Sequence, residues 1–411
     1  MQSKPKASII GQGYVGLPLA IAASEAGLEV NGIDIDSKKI ELINSGKSPV
    51  EDISDARLQK ALASSAYKAT TDFSKISDSN VIIICVPTPL DGELKPDLRA
   101  LKSAVDSILP NLKEEMLIIS ESTSYPGTLR EVIYQTVKDK FPGDVTKLYF
   151  ASAPERVNPG DQKWDISNTP RLIGGLTLEA SQKARDFYQN FCKELVITET
   201  PEVAEAAKIL ENTFRLVNIA LMHEFNQILS AQGIDTNSVV DAASTKPYGF
   251  MPFRSGVGIG GHCIPVDPMY LTWWARENGN ISKLVEIADS VSRSMPEFVA
   301  NRALSLIDRK SVTKRVLVLG VAYKPGLSDT RETPASELIA KLRSNGAEVK
   351  WHDPLVESWG EEQSAPVGWE CDVAILATNQ PGISITSQLE RGIPVLDCTN
   401  THRGVDGVIA L

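Results

Sequence analysis

From Ala7 to about Val196 short apolar runs alternate with amphipathic stretches, a pattern that predicts βαβ units packed around a parallel sheet. The expected strands are Ala7–Ile10, Glu29–Ile33, Val81–Val86, Met116–Ser120, Leu148–Ala151 and Leu195–Ile197, with helices such as Pro18–Ala26 and Thr128–Lys138 between them. After Thr200-Pro201 the period changes. Glu202–Gln232 carries apolar residues at helical spacing with no internal Gly or Pro, and reads as one long helix. A Gly-rich loop, Ser255–Gly261, follows, and Lys283–Asp308 is helical again. From Arg315 a second α/β unit is expected, with strands Arg315–Leu319, Glu348–Trp351, Val373–Leu376 and Val395–Leu396 and a helix over Thr333–Leu342. The expected fold class is therefore α/β: two doubly wound sheets, loosely echoing each other, joined by a long central helix and a helical domain.

The length of 411 residues corresponds to two or three domains, enough to bury a large core without disulfide or metal staples. With 42 Lys and Arg against 52 Asp and Glu, the net charge of −10 is the wrong sign for binding nucleic acid or anionic membranes through bulk charge. Any anionic ligand must be met locally. The five cysteines are scattered, odd in number and without a C-x-x-C pair, which fits a reducing compartment and neither a disulfide framework nor a metal site. Lys4 and Lys6 before an apolar stretch superficially resemble a secretory leader, but three glycines interrupt that stretch in a spacing with a better explanation. No window approaches a membrane span, and a cytoplasmic location is expected.

Those glycines form Gly11-Gln12-Gly13-Tyr14-Val15-Gly16, a G-x-G-x-x-G directly after a predicted strand and opening a predicted helix. Glycines there permit a tight turn and close approach of a pyrophosphate to the helix N-terminus, whose unpaired N–H groups favour negative charge. Asp34 ends the second strand, eighteen residues beyond Gly16, where a carboxylate can accept hydrogen bonds from an adenosine ribose and repel a 2′-phosphate. NAD rather than NADP is the expected cofactor, and both α/β sheets are expected to be Rossmann-like. Asp36 is the alternative ribose partner, or else an N-cap for a helix starting at Ser37.

A second cluster, Gly258-Ile259-Gly260-Gly261-His262-Cys263-Ile264-Pro265-Val266-Asp267-Pro268, leads a glycine run into a cysteine with an acid four residues later. The other cysteines, Cys85, Cys192, Cys371 and Cys398, read as small buried hydrophobes; Cys263 reads as chemistry, and His262 less so. Lys208 and Asn212 share one face of the long helix, a pair that by pattern alone would be a solvated surface pair. Glu155 and Arg156, Thr123, and Pro87-Thr88 each follow a predicted strand, on the edge of a parallel sheet where ligands bind.

Taken together, six stretches in order resemble the UDP-glucose/GDP-mannose dehydrogenase family of nucleotide-sugar 6-dehydrogenases: Gly11–Ala20, Ser122–Thr128, Ala153–Gly160, Ala206–Thr213, Gly258–Pro268 and Gly320–Pro334. Lys246–Phe253, the Gly-Gly-His-Cys core and Tyr270–Trp273 are most similar to the bacterial UDP-N-acetylglucosamine 6-dehydrogenases. The resemblance implies an NAD-binding domain over residues 1–200, a central dimerisation and substrate domain over 201–311 and a UDP-binding domain over 312–411. It implies a four-electron oxidation of a UDP-sugar C6 alcohol to the uronic acid, for surface-polysaccharide synthesis, through a Cys263 thiohemiacetal and thioester. Lys208 and Asn212 would stabilise oxygen anions, Asp267 and Thr123 would position water or relay a proton, and Glu155 would serve thioester hydrolysis. The implied cofactor contacts are Gly11, Gly13, Tyr14, Val15, Gly16, Asp34, Pro87, Thr88, Thr123 and Arg331. The implied substrate contacts are Glu155, Arg156, Val157, Lys208, Asn212, Phe250, Arg254, Gly258, Gly260, Tyr323 and Lys324.

Two positions depart from the family pattern. Asp397-Cys398-Thr399-Asn400 stands where Asp-Thr-Arg-Asn is common, leaving Arg403 as the candidate replacement, and Arg254 adds a positive charge ahead of the glycine loop. UDP-glucose and UDP-N-acetylmannosamine are the alternative substrates. A two-electron hydroxyacid-type dehydrogenase would not need Cys263, and a silent NAD-binding regulator would not need it together with Lys208, Asn212 and Asp267. The apolar face of the long helix resembles the family's homodimer interface, with packing inside the chain as the other reading.

Overall fold

The computed structural model describes residues 5–157, 163–308, 311 and 313–411; Lys4, the last three residues of the Ala153–Gly160 stretch and the expected boundary residue Val312 lie outside the described residues. The chain divides into two compact units, one comprising residues up to Glu211 with Trp273–Asn278, the other Asn212–Thr272 with Gly279–Leu411.

In the first unit the strands are β1 (Ala7–Ile10), β2 (Val30–Ile33), β3 (Tyr67–Thr70), β4 (Val81–Ile84), β5 (Leu117–Ser120), β6 (Tyr149–Ser152), β7 (Arg171–Gly175) and β8 (Leu195–Ile197). They form one sheet in the order β3-β2-β1-β4-β5-β6-β7-β8. Pairing is parallel from β3 through to β6, antiparallel between β6 and β7, and parallel between β7 and β8. β4, Val-Ile-Ile-Ile, is buried at all four positions, as a strand covered by helices on both faces requires. Helices α1 (Gly16–Glu25), α2 (Ser37–Asn44), α3 (Asp55–Ala63), α4 (Arg99–Ile108), α5 (Gln135–Lys140) and α6 (Leu178–Tyr188) belong to this unit. A six-residue π-helical segment, Leu129–Tyr134, leads into α5. Leu17, Leu19 and Ile21 of α1 pack with Ile9 and Ile83 in one core cluster. Strand order reverses between β1 and β4, so their carboxyl ends border the crevice where doubly wound sheets bind ligands.

The long helix α7 spans Pro201–Ser230, one residue longer at its start and two shorter at its end than the periodicity predicts. The second unit contains α8 (Thr236–Ser244), the start of α9 (Asp267–Glu277), α10 (Lys283–Ser305), β9 (Lys314–Leu319), α11 (Pro334–Ser344) and β10 (Ala347–His352). After a short ribbon of β11 (Ser358–Trp359) and β12 (Glu362–Gln363) come β13 (Val373–Leu376), β14 (Val395–Asp397) and β15 (Val408–Ala410). The second sheet is parallel throughout, in the order β10-β9-β13-β14-β15. The two sheets repeat one local device. Gly11 follows β1 at φ +92° and Gly320 follows β9 at φ +80°; a Cβ on either would lie 2.4 Å from the Cys85 carbonyl oxygen or 2.0 Å from that of Thr378. In each case an acid after the second strand, Asp34 or Asp353, accepts the N–H of the residue following that glycine, at 2.8 Å.

Candidate active site

The G-x-G-x-x-G turn is built by contact. A Cβ at Gly16 would meet the Gly11 carbonyl oxygen at 1.8 Å, whereas one at Gly13 would meet nothing within 4 Å. Gly11 and Gly16 therefore serve the turn, and Gly13 borders open space beside the backbone. Asp34 is buried; its Oδ2 accepts the Gln12 N–H at 2.8 Å and Lys39 Nζ at 2.8 Å, and its Oδ1 accepts the Asp36 N–H at 3.0 Å. Burial alone would raise its pKa, but Lys39 and the two amides outweigh it and hold the carboxyl below its usual range. Three donors leave an ionised carboxylate with acceptor capacity for a ribose hydroxyl. Asp36 is an N-cap, accepting from the Lys38 and Lys39 N–H groups. Tyr14 donates to Glu51 at 2.9 Å, Val15 precedes α1, and the Thr88 hydroxyl donates to the Thr123 carbonyl at 2.6 Å beside exposed Pro87. These residues fit a dinucleotide.

At the same edge of the sheet, Glu155 beyond β6 is part of a charged cluster that local sequence does not reveal. Its Oε1 accepts the Arg156 and Val157 N–H groups, each at 2.6 Å, and its Oε2 pairs with Arg171 Nη2 at 2.9 Å. Arg171, the first residue of β7, also pairs with Glu121 at the end of β5, Nη1 to Oε1 2.7 Å, and lies 4.6 Å from the ring centre of Tyr188, whose hydroxyl donates to Glu121. Burial raises the pKa of Glu155, but Arg171, the Val157 amide and Lys208 outweigh it; burial drives Glu121, with no backbone donors, up to about 7. Arg156 is engaged by Glu211 of α7 at 2.7 Å and donates to the Pro170 carbonyl.

Lys208 and Asn212 are both buried, which corrects the surface reading that pattern alone favours. α7 instead turns its large apolar side chains Leu210, Phe214, Leu221, Phe225 and Ile228 outward. One turn before Lys208, buried Glu205 accepts the Gly127 N–H at 2.6 Å and the Leu129 N–H at 3.0 Å, fixing the segment that follows Thr123. In the second unit Asn212 Nδ2 donates to Asp267 Oδ2 at 2.6 Å.

Asp267 opens α9, an element the Gly- and Pro-rich sequence hides, and its N–H donates to the Cys263 carbonyl at 2.9 Å. Cys263 is the exposed thiol of the five; burial pushes the pKa values of Cys192 and Cys371 up to about 11 and also raises those of Cys85 and Cys398. His262 is exposed, its pKa lowered by desolvation and by the Arg331 charge. The glycine run has a packing reason. A Cβ on Gly260 or Gly261 would meet Tyr323 at 2.8 or 2.9 Å, and one on Gly258 would meet Pro334 at 3.0 Å. Lys324 follows Tyr323 and is half-buried, and Arg331 forms a bidentate pair with Asp329 at 2.8 and 2.6 Å. Phe250 is exposed, whereas Arg254 pairs with Asp241 at 2.5 Å. Arg403 joins the same carboxylate and also Asp235 at 2.9 Å, so the two departures from the family pattern converge on α8.

Family profiles for the UDP-glucose/GDP-mannose dehydrogenases cover nearly the whole chain: the NAD binding domain matches residues 5–192, the central domain 202–293 and the UDP binding domain 317–403. The chain belongs to the UDP-glucose/GDP-mannose dehydrogenase family. This nucleotide-sugar dehydrogenase is an oxidoreductase and its cofactor is NAD. It is 34% identical over 378 residues to a UDP-N-acetyl-D-mannosamine dehydrogenase of Pyrococcus horikoshii, covering 91% of this chain and 89% of the relative. It is also 34% identical over 376 residues to a UDP-N-acetyl-D-glucosamine 6-dehydrogenase of Pseudomonas aeruginosa, covering 88% and 86%. The solved structure of a UDP-D-ManNAc dehydrogenase from Pyrococcus horikoshii matches with a TM-score of 0.89 at 34% identity over 98% of both chains. Among the described residues of the dehydrogenase no helix is long and apolar enough to cross a membrane.

Proposed function

We propose that this dehydrogenase oxidises the C6 alcohol of a UDP-N-acetylhexosamine to the uronic acid in two steps on one enzyme. The observation that carries the reading is the placement of Cys263, the exposed thiol, one turn ahead of a buried Asp267 held by Asn212 at 2.6 Å. The sequence motifs support UDP-N-acetylglucosamine, and the likeness to mannosamine dehydrogenases supports UDP-N-acetylmannosamine as the alternative; the two relatives are equally identical at 34%. The Gly11–Gly16 turn and Asp34 would hold NAD, which when bound would supply the hydride acceptor for both oxidations. Lys208 and Asn212 stabilise the alkoxide from which the aldehyde forms. Cys263 adds as a thiolate to the aldehyde carbon, and the oxyanion takes a proton to give a thiohemiacetal. Loss of that proton and a second hydride leaves a thioester. Water then adds to the acyl carbon, one of its protons passes to Glu155, and the C–S bond breaks to release the sugar carboxylic acid and restore the thiolate; the acid gives its remaining proton to solvent. Asp267 and Thr123 position the water and relay protons, and Lys324, Tyr323, Arg254 and Phe250 contact the UDP-sugar. The three family domains are read as residues 1–200, 201–311 and 312–411.

The outward apolar stripe of α7 supports a homodimer, and the absence of disulfides among the described cysteines supports a reducing, cytoplasmic setting in which the product feeds polysaccharide synthesis. The test is turnover of each UDP-sugar with NAD. Wild type should yield two NADH per sugar, preferring an N-acetylated sugar, and Cys263→Ala should bind NAD but form almost no uronic acid. One NADH per sugar in wild type returns the reading to a two-electron dehydrogenase, and equal specificity constants for UDP-glucose remove the N-acetyl assignment alone.

A further inference from the structure

The Arg171 cluster joins Glu121, Glu155 and Tyr188 around one buried guanidinium. A guanidinium 4% exposed on its side chain stands between two carboxylates contributed by the ends of β5 and β6, and it enters from an antiparallel strand that brings it to the ligand edge of the sheet. We propose that Arg171 is a positioning residue of the reaction, which holds the Glu155 carboxylate ionised and oriented for the water that opens the thioester, while Glu121 sets how much of the guanidinium's charge Glu155 receives. The inference rests on the reading of Glu155 as the water-activating group.

An ionised carboxylate offers about four acceptor sites. Two amides and Arg171 Nη2 fill three of them on Glu155, leaving one lone pair in a fixed direction for a water proton. Arg171 cannot turn away, because Nη1 is committed to Glu121 at 2.7 Å and donates to the Ala153 carbonyl at 3.3 Å. One fixed positive charge cannot neutralise two buried carboxylates, so one of them carries the proton. The backbone donors and Lys208 favour charge on Glu155, whereas the Glu121 side chain is fully buried and its Oε2 has no partner. Tyr188 and Cys85, the other titratable groups facing Glu121, and Cys192 beside Arg171, have pKa values raised by burial and stay neutral. Glu121 is thus the group that titrates, at about 7. Once it ionises it repels charge on Glu155 and draws on the shared guanidinium, which makes Glu155 a stronger base. Hydrolysis should therefore quicken as pH rises through that value.

The experiment follows NADH release and mass-spectrometric trapping of the Cys263 acyl adduct in Glu155→Gln, Arg171→Lys and Glu121→Gln, with the full chain, NAD and whichever UDP-sugar wild type turns over. Arg171→Lys should keep its NAD affinity, release two NADH per site in a burst and then turn over roughly tenfold or more slowly with acylated Cys263, a milder form of the Glu155→Gln defect. Glu121→Gln should turn over without the rate increase near neutrality. Wild-type hydrolysis in Arg171→Lys beside an acyl adduct in Glu155→Gln overturns the role of Arg171 and leaves that of Glu155 intact. No adduct in Glu155→Gln removes Glu155 itself and the proposal with it. If Arg171→Lys does not fold, the isosteric Glu121→Gln decides, and a retained pH rise overturns the proposal.

Discussion

Replacing Glu205 by alanine isolates the contribution of one buried carboxylate to the geometry around Thr123. Glu205 accepts the Gly127 N–H at 2.6 Å and the Leu129 N–H at 3.0 Å, at the entrance of the Leu129–Tyr134 turn where amides lack intrahelical partners. Both donors are buried, and a buried donor left unmade costs about 1 to 3 kcal/mol. Two of them give about 4 kcal/mol for Glu205→Ala at the centre of that range. Glu205→Gln keeps an acceptor oxygen, and because burial lifts the Glu205 pKa to about 7 it removes only part of a charge near neutrality, so it should cost about 1 kcal/mol. In a unit the size of the N-terminal one, 1 kcal/mol lowers the midpoint by about 2 to 4 °C, so the alanine variant should melt roughly 8 to 16 °C lower. Thermal unfolding followed at several wavelengths gives the shift, and hydrogen exchange locates it. Loss of protection should concentrate in the segment 121–134, and NAD affinity should fall with it because Thr123 lies on that segment. A shift under about 2 °C, or exchange that rises evenly over the unit, would show that water replaces the carboxylate at no cost and refute the reasoning.

Gly13→Ala should fold as wild type, since a Cβ there meets nothing within 4 Å, yet bind NAD roughly tenfold or more weakly by calorimetry; Gly11→Ala, at φ +92° and 2.4 Å from a carbonyl oxygen, should instead be destabilised. Asp34→Ser removes a ribose acceptor and leaves Lys39 without its carboxylate, so the NAD to NADP ratio of kcat/KM should fall by about tenfold or more, and an unchanged ratio places the ribose elsewhere. His223 is fully buried against Ser255 and burial holds its pKa down to about 4. A depressed folded value stabilises above the unfolded pKa of about 6.5 and is lost as pH falls towards 4, so this residue should remove roughly 3 kcal/mol over that window. His223→Asn should flatten the acid limb of a stability curve, and an unaltered limb would assign it to other groups.

The sequence carried the strands buried on both faces. β1, β4 and β5 are nearly unbroken apolar runs, and Asp34 was legible from its distance to the glycine turn. β7 was not, because it begins with an arginine and ends with two glycines. Its burial depends on carboxylates at positions 121 and 155, which no local window contains. The start of α9 was hidden by Pro265 and Pro268. Lys208 and Asn212 misled in the opposite sense. Polar residues on a helix are ordinarily solvated, but α7 buries these two beside Ile209, Leu216 and Met222 while Leu210 and Phe214 are exposed, so the helix carries two apolar faces where amphipathic reasoning expects one. Lys39 was missed because a lysine early in a helix has an unremarkable pattern; only its 2.8 Å contact makes it part of the site.

Asp34 and Asp353 clamp their turns from within the protein, so the chain itself supplies contacts that shape both loops. The loss of freedom that a nucleotide would otherwise impose on its loop has already occurred during folding. Encounter should therefore resemble docking onto a rigid surface, fast and with little rearrangement of the backbone at either turn. Such sites also release their ligands readily, since no loop has to reopen. Under the proposed two-step oxidation, in which a reduced nucleotide leaves and a fresh one enters within each cycle, a turn that stays open and formed throughout is an advantage.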